Sequence, residues 1–232
     1  MLVSAVITAA GRNSRMEQSQ IENNIPIINK LLLPFNVIDK TDNGKNVLKK
    51  TIIETTISNV LATDVDECIV VLGHFAPEIR KVIANISDDR IKIIENENID
   101  VGLSKSLLNG LKHCKNDLIL CLAGDQPTIS TNTYKKIIDI IANSKSPNNT
   151  VSILRRRESG ILDSPEGLGM PFAINKNALA KYLINENDNL NPIIRKIFKD
   201  DFCFYGVKEE NNLELININD FEEYNFVLNN MI

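Results

Sequence analysis

Long apolar runs are missing from this sequence, in which no segment approaches the roughly 18 uninterrupted apolar residues of a membrane-spanning helix. The amino terminus leads directly into a strand-like segment, without the basic, apolar and cleavage regions of a secretory signal. A charge excess of one sign is missing as well, because the net charge of −4 is not that of a nucleic-acid-binding surface. We therefore expect a cytoplasmic protein with no membrane contact and no nucleic-acid partner.

Cysteine is scarce and is not arranged for metal binding. The four cysteines are Cys68, Cys114, Cys121 and Cys203; they form no C-x-x-C pair, and no histidine stands at ligand spacing. Cys68 and Cys121 lie in apolar strand-like segments, where a free thiol behaves as a small hydrophobic side chain. We therefore predict that the cysteines are core thiols.

Glycine is equally scarce where a phosphate loop would be expected. Residues 3–16, V-S-A-V-I-T-A-A-G-R-N-S-R-M, contain only Gly11. A Walker A loop needs a second glycine followed by Lys and Ser or Thr, and a dinucleotide fingerprint needs three glycines. Both motifs are therefore excluded.

The same segment nevertheless has the features of an anion site. A strand predicted over residues 3–8 is followed by residues whose side chains are a methyl group or nothing, which lets backbone N–H groups approach a ligand. Arg12 and Arg15 come next, and a phosphate-bearing ligand is the simplest species that would use both the amides and the arginines. The alternative is an ordinary strand-to-helix turn with surface arginines.

Strand-like and helical patterns alternate through the first 140 residues. This alternation predicts a mostly parallel sheet with helices on both faces, to which the closely spaced later strands add at least one antiparallel member. A chain of 232 residues with this pattern commonly folds as one domain. The patterns predict strands over residues 3–8, 68–72, 90–95, 117–122 and 150–155, and helices over residues 44–62, 77–86, 103–114 and 131–142.

Four turns follow predicted strands, at Ala9, Gly73, Asn96 and Gly124, and the carboxyl ends of parallel strands meet at one edge of a sheet. Asp125 stands in the last of these turns and is the best candidate metal ligand, although acidic residues in such turns also form ordinary Asx turns. We therefore expect the ligand to bind along this edge.

Three features leave alternatives open. Residues 17–29 either fold over a ligand as a lid or form an exposed excursion, and we favour the excursion. His74 follows a predicted strand, where a lone histidine is more often structural than a ligand contact. The arginines of residues 155–157 are typical of a solvated strand end rather than of an acceptor site.

Motifs in the amino-terminal half resemble those of the MobA-like nucleotidyltransferases. A-A-G-R-N-S-R-M, followed by Lys30 in N-K-L-L-L-P, is similar to the family signature A-A-G-x-S-x-R-M … K-x-L-L. N-E-N-I-D-V-G-L-S-K-S-L over residues 96–107 resembles the N-P-x-x-x-x-G-M-S-x-S-L of the MocA-like molybdenum cofactor cytidylyltransferases, and G-D-Q-P resembles G-D-x-P. The resemblance covers essentially the whole chain, and its amino-terminal half is the more specific.

This resemblance implies a single Rossmann-like three-layer α/β/α domain over residues 1–232, of the nucleotide-diphospho-sugar transferase type, with a mostly parallel mixed sheet. It implies a Mg²⁺-dependent transfer of CMP from CTP to the molybdopterin phosphate of molybdenum cofactor, with release of pyrophosphate and with a molybdoenzyme as partner. Two other functions stay open. They are transfer to another small phosphorylated acceptor, such as a sugar or polyol phosphate, and nucleotide binding without catalysis by a molybdoenzyme chaperone.

The positions that match the family signature carry the implied roles. Lys30, Arg15 and Asp125 would be catalytic, the first two by neutralising phosphate charge and Asp125 by holding Mg²⁺. The family pairs A-A-G with cytidine and A-G-G with guanosine, so Ala10 favours CTP over GTP. The implied nucleotide-binding residues are Ala9, Ala10, Gly11, Arg12, Gly73, Asn96, Gly102, Ser104 and Ser106.

The acceptor side departs from the family pattern. G-L-G-M-P-F over residues 167–172 has Met170 where G-H-P-x-x-F has histidine. N-D-N-L-N-P-I-I keeps Asp188 of G-D-x-G-A-R-x-L-L but lacks the later glycine and arginine. By position, Gly169, Pro171 and Asp188 are the implied acceptor-binding residues.

The carboxyl-terminal motif also differs. L-E-L-I-N-I-N-D-F-E-E-Y matches D-I-D-T-P-E-D-x in layout, with Asn217 and Asn219 in place of both aspartates. Asparagine can offer an amide oxygen to Mg²⁺ but brings no charge, so metal binding would depend more on Asp125 and the phosphates. The implied metal ligands are therefore Asp125, Asn217 and Asn219.

Overall fold

A computed structural model describes residues 1–41, 44–155, 159–187 and 189–231, without the side chains of residues 36–41, 44–48 and 155. Its strands are β1 (Val3–Ala9), β2 (Pro34–Thr41), β3 (Gly44–Thr51), β4 (Glu67–Leu72), β5 (Ile91–Glu95), β6 (Leu118–Ala123), β7 (Thr150–Arg155), β8 (Gly160–Ile161), β9 (Phe172–Asn175) and β10 (Cys203–Lys208). Its α-helices are α1 (Ser14–Glu22), α2 (Ile52–Leu61), α3 (Ala76–Ile83), α4 (Leu103–His113), α5 (Thr131–Ala142), α6 (Lys176–Leu183), α7 (Leu190–Lys199) and α8 (Phe221–Asn230).

Eight of these strands form one mixed sheet, in the order β5-β4-β1-β6-β9-β7-β10-β8. Strand β1 pairs in parallel with β4 and β6, β4 pairs in parallel with β5, and β7 pairs in parallel with β10. Strand β9 runs antiparallel to β6 and β7, and β8 runs antiparallel to β10. The predicted mostly parallel sheet with antiparallel members among the later strands is therefore confirmed.

The core lies on both faces of this sheet. Strand β1 is buried along its whole length, and its side chains alternate between the two faces, as those of a central strand do. Ile7 packs in an apolar cluster with Ile57 of α2 and Ile137 of α5, whereas Val6 packs in a second cluster with Leu107 of α4 and Leu179 of α6. This arrangement is the expected three-layer α/β/α architecture.

The turns that follow β1, β4, β5 and β6 lie side by side, because these strands are parallel neighbours. Hydrogen bonds tie two of these turns to the neighbouring strand: Gly124 N donates to Thr8 O over 3.0 Å, and Asn96 N donates to Leu72 O over 3.0 Å. The predicted convergence along one sheet edge is confirmed.

The helix predicted over residues 44–62 is wrong in its first half. Residues 44–51 form β3, which pairs antiparallel with β2 in a two-stranded hairpin. The helix begins after Thr51, whose Oγ1 accepts from Glu54 N over 3.4 Å while the Glu54 carboxylate accepts from Thr51 N over 2.8 Å. This capping box, T-x-x-E, is a helix-start signal that marks the boundary in the sequence.

The segment predicted as an exposed excursion, residues 17–29, is helical in its first part. Helix α1 covers Ser14–Glu22 and packs against α8, where Phe221 N donates to Ser19 Oγ over 3.3 Å. Met16 and Gln20, which belong to this helix, are fully buried. Residues 21–24 and 26–28 are exposed, so the predicted excursion describes the second part of the segment, whereas its first part is a helix that packs against α8.

Three of the four cysteines are buried as predicted. Cys68, Cys114 and Cys121 lie in the core, and burial raises the pKa of the Cys68 and Cys114 thiols to about 12. Cys203 is exposed at the start of β10, so its prediction as a core thiol is wrong. Within the described ranges, no group of three His, Cys, Asp or Glu side chains could hold a metal ion.

The helices of the described ranges are short. The longest, α5, has 12 residues, and none of them has the length and apolar character needed to cross a bilayer. The cytoplasmic location expected from the sequence stays a prediction.

Candidate active site

A cavity of about 320 Å³ lies at the sheet edge where β1 and β6 end. Its wall combines small residues, two cations, one carboxylate and several amide side chains. The predicted site residues that line it are Ala9, Ala10, Gly11, Arg15, Lys30, Ser106, Asp125, Asn217 and Asn219.

The charged groups of the cavity contact one another. Lys30 Nζ lies 2.5 Å from Asp125 Oδ2 and donates to Asn219 Oδ1 over 3.2 Å. Arg15 Nη2 donates to the same Asn219 oxygen over 2.8 Å. The Lys30 and Asp125 side chains are only 18% and 13% exposed, so water screens this ion pair less than a surface pair. The structure thus brings together four residues that the sequence placed in the site from positions up to 204 residues apart.

Two asparagines, Asn13 and Asn29, hold Lys30 in position, and neither was predicted from the sequence. Asn13 adopts a left-handed backbone, φ 66°, and its Oδ1 accepts from Lys30 N over 2.9 Å. Asn29 Oδ1 accepts from Leu31 N over 2.9 Å and caps the 3₁₀ turn that begins at Lys30. Asparagine tolerates left-handed backbone and caps helical turns, which is the signal that could have identified both residues.

Gln126, in the G-D-Q-P turn, was also missed. It is almost fully buried, and its Nε2 donates to Asn217 Oδ1 over 3.0 Å and to Met170 O over 2.8 Å, while its Oε1 accepts from Ala123 N over 3.2 Å. A buried amide keeps its place only when its hydrogen-bonding groups are satisfied. Gln126 therefore holds Asn217 in a defined position beside the carboxyl end of β6.

The oxygen donors in the cavity fit a divalent cation. Asp125 Oδ1 is buried and has no hydrogen-bond partner among the described residues, although a buried polar oxygen normally has one. Asn217 and Asn219 line the same cavity and carry amide oxygens. Carboxylate and amide oxygens are the ligands that Mg²⁺ accepts in proteins, so Asp125, Asn217 and Asn219 could hold this ion.

The predicted residues of the 96–107 turn divide into two groups. Ser106 lines the cavity, whereas Asn96 braces the turn: its Nδ2 donates to Ser106 Oγ over 2.9 Å, and its Oδ1 accepts from Asn109 over 3.1 Å. Gly102 N donates to Asn187 Oδ1 over 2.7 Å. Ser104 is fully buried and does not line the cavity.

Gly73 and Arg12 are near the site but do not line its cavity. A Cβ at Gly73 would lie 2.7 Å from Ala10 O, so the absence of a side chain is what lets the turn after β4 pack against Ala10. The Arg12 side chain is 64% exposed, and its Nη2 lies 2.9 Å from Asp100 Oδ1. The structure therefore places Arg12 in an ion pair outside the cavity.

A second cavity of about 880 Å³ shares Asn217 and Asn219 with the first. Gly169 and Glu223 line it, and the described part of its lining contains no Lys, Arg or His side chain. Pro171 does not line this cavity, and its carbonyl accepts from Leu154 N over 3.1 Å. Asp188 lies outside the described residues.

Comparison with protein families and solved structures finds nucleotidyltransferases. Residues 5–189 match a family model described as the MobA-like NTP transferase domain. A solved nucleotidyl transferase from Methanothermobacter thermautotrophicus, Mth528, is 38% identical, aligns over 98% of both chains and superposes with a TM-score of 0.85.

More distant structures share the fold. Rv0371c from Mycobacterium tuberculosis is 18% identical over 99% of this chain and 98% of that chain, with a TM-score of 0.68. The 4-diphosphocytidyl-2C-methyl-D-erythritol synthase of Anaerococcus prevotii is 16% identical over 97% of this chain and 94% of that chain, with a TM-score of 0.64.

A curated relative extends beyond the length of this chain. The bifunctional protein GlmU of Francisella philomiragia is 29% identical over 188 residues, which are 81% of this chain and 34% of GlmU. The chain thus spans about a third of the length of the curated relatives that it matches.

Proposed function

Because this chain belongs to the MobA-like NTP transferase family, we propose that its cavity binds CTP and transfers CMP to a small phosphorylated acceptor. One observation carries the proposal. The cations Lys30 and Arg15 contact Asp125 and Asn219 in one cavity beside a turn of small residues, and this combination of groups supports the binding of a triphosphate with a metal ion.

The chain's own residues suit an in-line displacement at the α-phosphorus. Such a reaction needs positioning and charge neutralisation rather than a covalent intermediate. Triphosphate oxygens would replace Asn219 and Asp125 as partners of Arg15 and Lys30, and Lys30 would stabilise the negative charge that builds at phosphorus. Mg²⁺, held by Asp125 with Asn217 and Asn219, would supply a Lewis acid for the phosphates. A solved complex of Rv0371c contains manganese, so a protein of this fold binds a divalent metal.

The choice between CTP and GTP depends on the small apolar side chains of the cavity lining that would contact the base. Ala10 lines the cavity, and its methyl group takes space that a larger purine ring would use. Isothermal titration of CTP and of GTP, each with Mg²⁺, tests this assignment, and we expect tighter binding of CTP. Tighter binding of GTP would contradict it.

For the acceptor, the family resemblance favours molybdenum cofactor, whose terminal phosphate would enter between the two cavities near Asn217 and Asn219. The product, molybdenum cofactor carrying CMP, would then be bound by a molybdoenzyme. A sugar or polyol phosphate is the second candidate, because the described lining of the larger cavity offers amides and the carboxylates of Glu214 and Glu223 but no cation. The Anaerococcus prevotii neighbour is a synthase of a diphosphocytidyl derivative of a polyol, which supports this candidate.

Pyrophosphate release separates these reactions from simple nucleotide binding. The protein would be incubated with CTP, Mg²⁺ and either molybdenum cofactor or a polyol phosphate, and we expect release with one acceptor class only. Asp125→Ala should lower turnover on the order of a hundredfold or more. Asp64→Ala, which removes a 97% exposed carboxylate, is the matched control and should leave turnover unchanged. No release with any acceptor, despite CTP binding, would favour the chaperone function instead.

A further inference from the structure

His74 lies outside the cavity but contacts two of the segments that form its wall. Its Nδ1 is 3.3 Å from Ala10 O, and its Nε2 is 3.0 Å from Asp100 Oδ1. The carbonyl and the carboxylate are both hydrogen-bond acceptors, and a ring nitrogen that carries a hydrogen donates to the oxygen that it faces. His74 therefore links the turn after β1 to the turn after β5.

Residues of both turns line the cavity, and Arg15 and Lys30, the groups that would bind phosphates, belong to neither turn. We call the part of the cavity that these two turns line its base end. The lining that remains includes Ala10 from the first turn and, from the 96–107 turn, the apolar side chains of Val101 and Leu103. A flat heteroaromatic ring suits such a wall better than a polyanion does.

The contacts of His74 control the spacing between the turns. Ala10 is fixed from behind by Gly73, whose missing Cβ allows the close packing, and Asp100 stands next to Val101. Asp100 Oδ1 also accepts from Arg12, so three loops meet at this one carboxylate. Because Asp100 is 59% exposed, these contacts add little to global stability, and their main effect is on loop position.

We propose that His74, together with Asp100, is a positioning residue that sets the width of the base end of the cavity and thereby the discrimination between pyrimidine and purine nucleotides. The inference rests on the proposed function, in which this end of the cavity holds the base. His74 touches neither the nucleotide nor the phosphates and acts through Ala10 and the 96–103 turn.

Three substitutions separate the two contacts. His74→Ala removes both, His74→Asn keeps an amide donor at the position of Nδ1, and His74→Gln keeps one at the position of Nε2. The dissociation constants of CTP, GTP and inorganic tripolyphosphate would be measured for each variant by isothermal titration with Mg²⁺. In His74→Ala, loss of the hydrogen bonds should change the ratio of the dissociation constant for GTP to the dissociation constant for CTP about two- to tenfold. Tripolyphosphate affinity should stay unchanged, and one of the amide variants should restore the ratio in part.

Arg80→Gln is the matched control, because it removes another surface ion pair, Arg80 with Glu95, between helix α3 and the end of β5. It should leave the ratio at its original value. An unchanged ratio in His74→Ala, or an equal loss of affinity for all three ligands, would overturn the positioning role. If the unaltered protein bound GTP more tightly than CTP, the base assignment would fail, while the change of ratio would still decide the role of His74. Failure to bind either nucleotide would overturn both.

Discussion

Lys30 Nζ lies 2.5 Å from Asp125 Oδ2, so a cation suited to phosphates is paired with the carboxylate suited to a metal ion. Asn219, another candidate metal ligand, is likewise paired with a cation, because its Oδ1 accepts a hydrogen bond from Arg15. An ammonium group on Asp125 Oδ2 and a divalent cation on Oδ1 of the same carboxylate would repel each other strongly. Phosphates that draw Lys30 away would therefore free Asp125, and metal and nucleotide should bind together more tightly than either does alone.

The first prediction uses this competition. Lys30→Gln should raise the affinity for Mn²⁺ alone about fivefold. The reason is that the ion pair between Lys30 and Asp125, worth roughly 1 kcal/mol, no longer competes with the metal. The same change should weaken CTP binding, because a phosphate contact is lost. Electron paramagnetic resonance of Mn²⁺ and titration calorimetry would measure the two effects. Lys135→Gln, which removes a lysine paired with the exposed Asp64, is the control. Weaker binding of Mn²⁺ alone by Lys30→Gln would contradict the competition.

The second prediction concerns the missing charge at position 219. Asn219→Asp should raise Mn²⁺ affinity roughly tenfold when pyrophosphate is present, because ligand charge strengthens binding of hard cations and the phosphates occupy Arg15 and Lys30. Asn211→Asp is the control, since an aspartate there keeps the acceptor for Leu213 N and lines neither cavity. An equal gain in both variants would point to a general effect of net charge.

The third prediction contrasts two glycines. Gly73→Ala should destabilise the fold by about 1–3 kcal/mol, because the new Cβ would lie 2.7 Å from Ala10 O, which is backbone. A Cβ at Gly11 would meet no described heavy atom within 4 Å. Gly11→Ala should therefore change stability by less than about 0.5 kcal/mol but weaken CTP binding, since the methyl group enters the phosphate space. Urea unfolding and calorimetry distinguish the two effects, and equal stability losses would contradict the assignment.

The fourth prediction tests the boundary between hairpin and helix. Thr51→Ala removes the capping oxygen of α2 and should lower the free energy of unfolding by about 1 kcal/mol. Thr51→Ser keeps a hydroxyl at the cap and should retain most of the stability. Denaturant unfolding measures both variants. If serine were as destabilising as alanine, the lost methyl packing rather than the cap would be the cause.

Several site residues could be predicted because their neighbours in the chain are informative. Asp125 follows a buried strand directly, and the small residues at Ala9 to Gly11 end another, so both were expected at one sheet edge. Arg12 was expected there for the same local reason, but its partner Asp100 lies 88 residues away and holds it outside the cavity. Adjacency in the chain predicts which loop carries a side chain, but it does not predict the partner that the side chain finds.

Buried polar residues were the hardest to predict. Asn13 and Asn29 carry only the general preference of asparagine for left-handed and capping positions, Gln126 carries no local signal, and the importance of all three comes from the groups they contact. The helix predicted over residues 44–62 failed for a related reason, since β3 is a strand only because β2 pairs with it. Strand pairing and burial are properties of the folded chain, so the local periodicity of the sequence does not predict them.

The amino-acid sequence by itself determined the alternation of strands and helices, the turn of small residues after β1 and the position of Asp125 at the end of β6, because apolar periodicity and residue size act over a few neighbours. Only the tertiary structure decided that Lys30 pairs with Asp125, that Arg15 reaches Asn219 across 204 residues and that His74 connects two walls of the cavity. These contacts arise when parallel strands bring distant turns to one edge of the sheet, where side chains select partners by charge and distance rather than by their order in the chain.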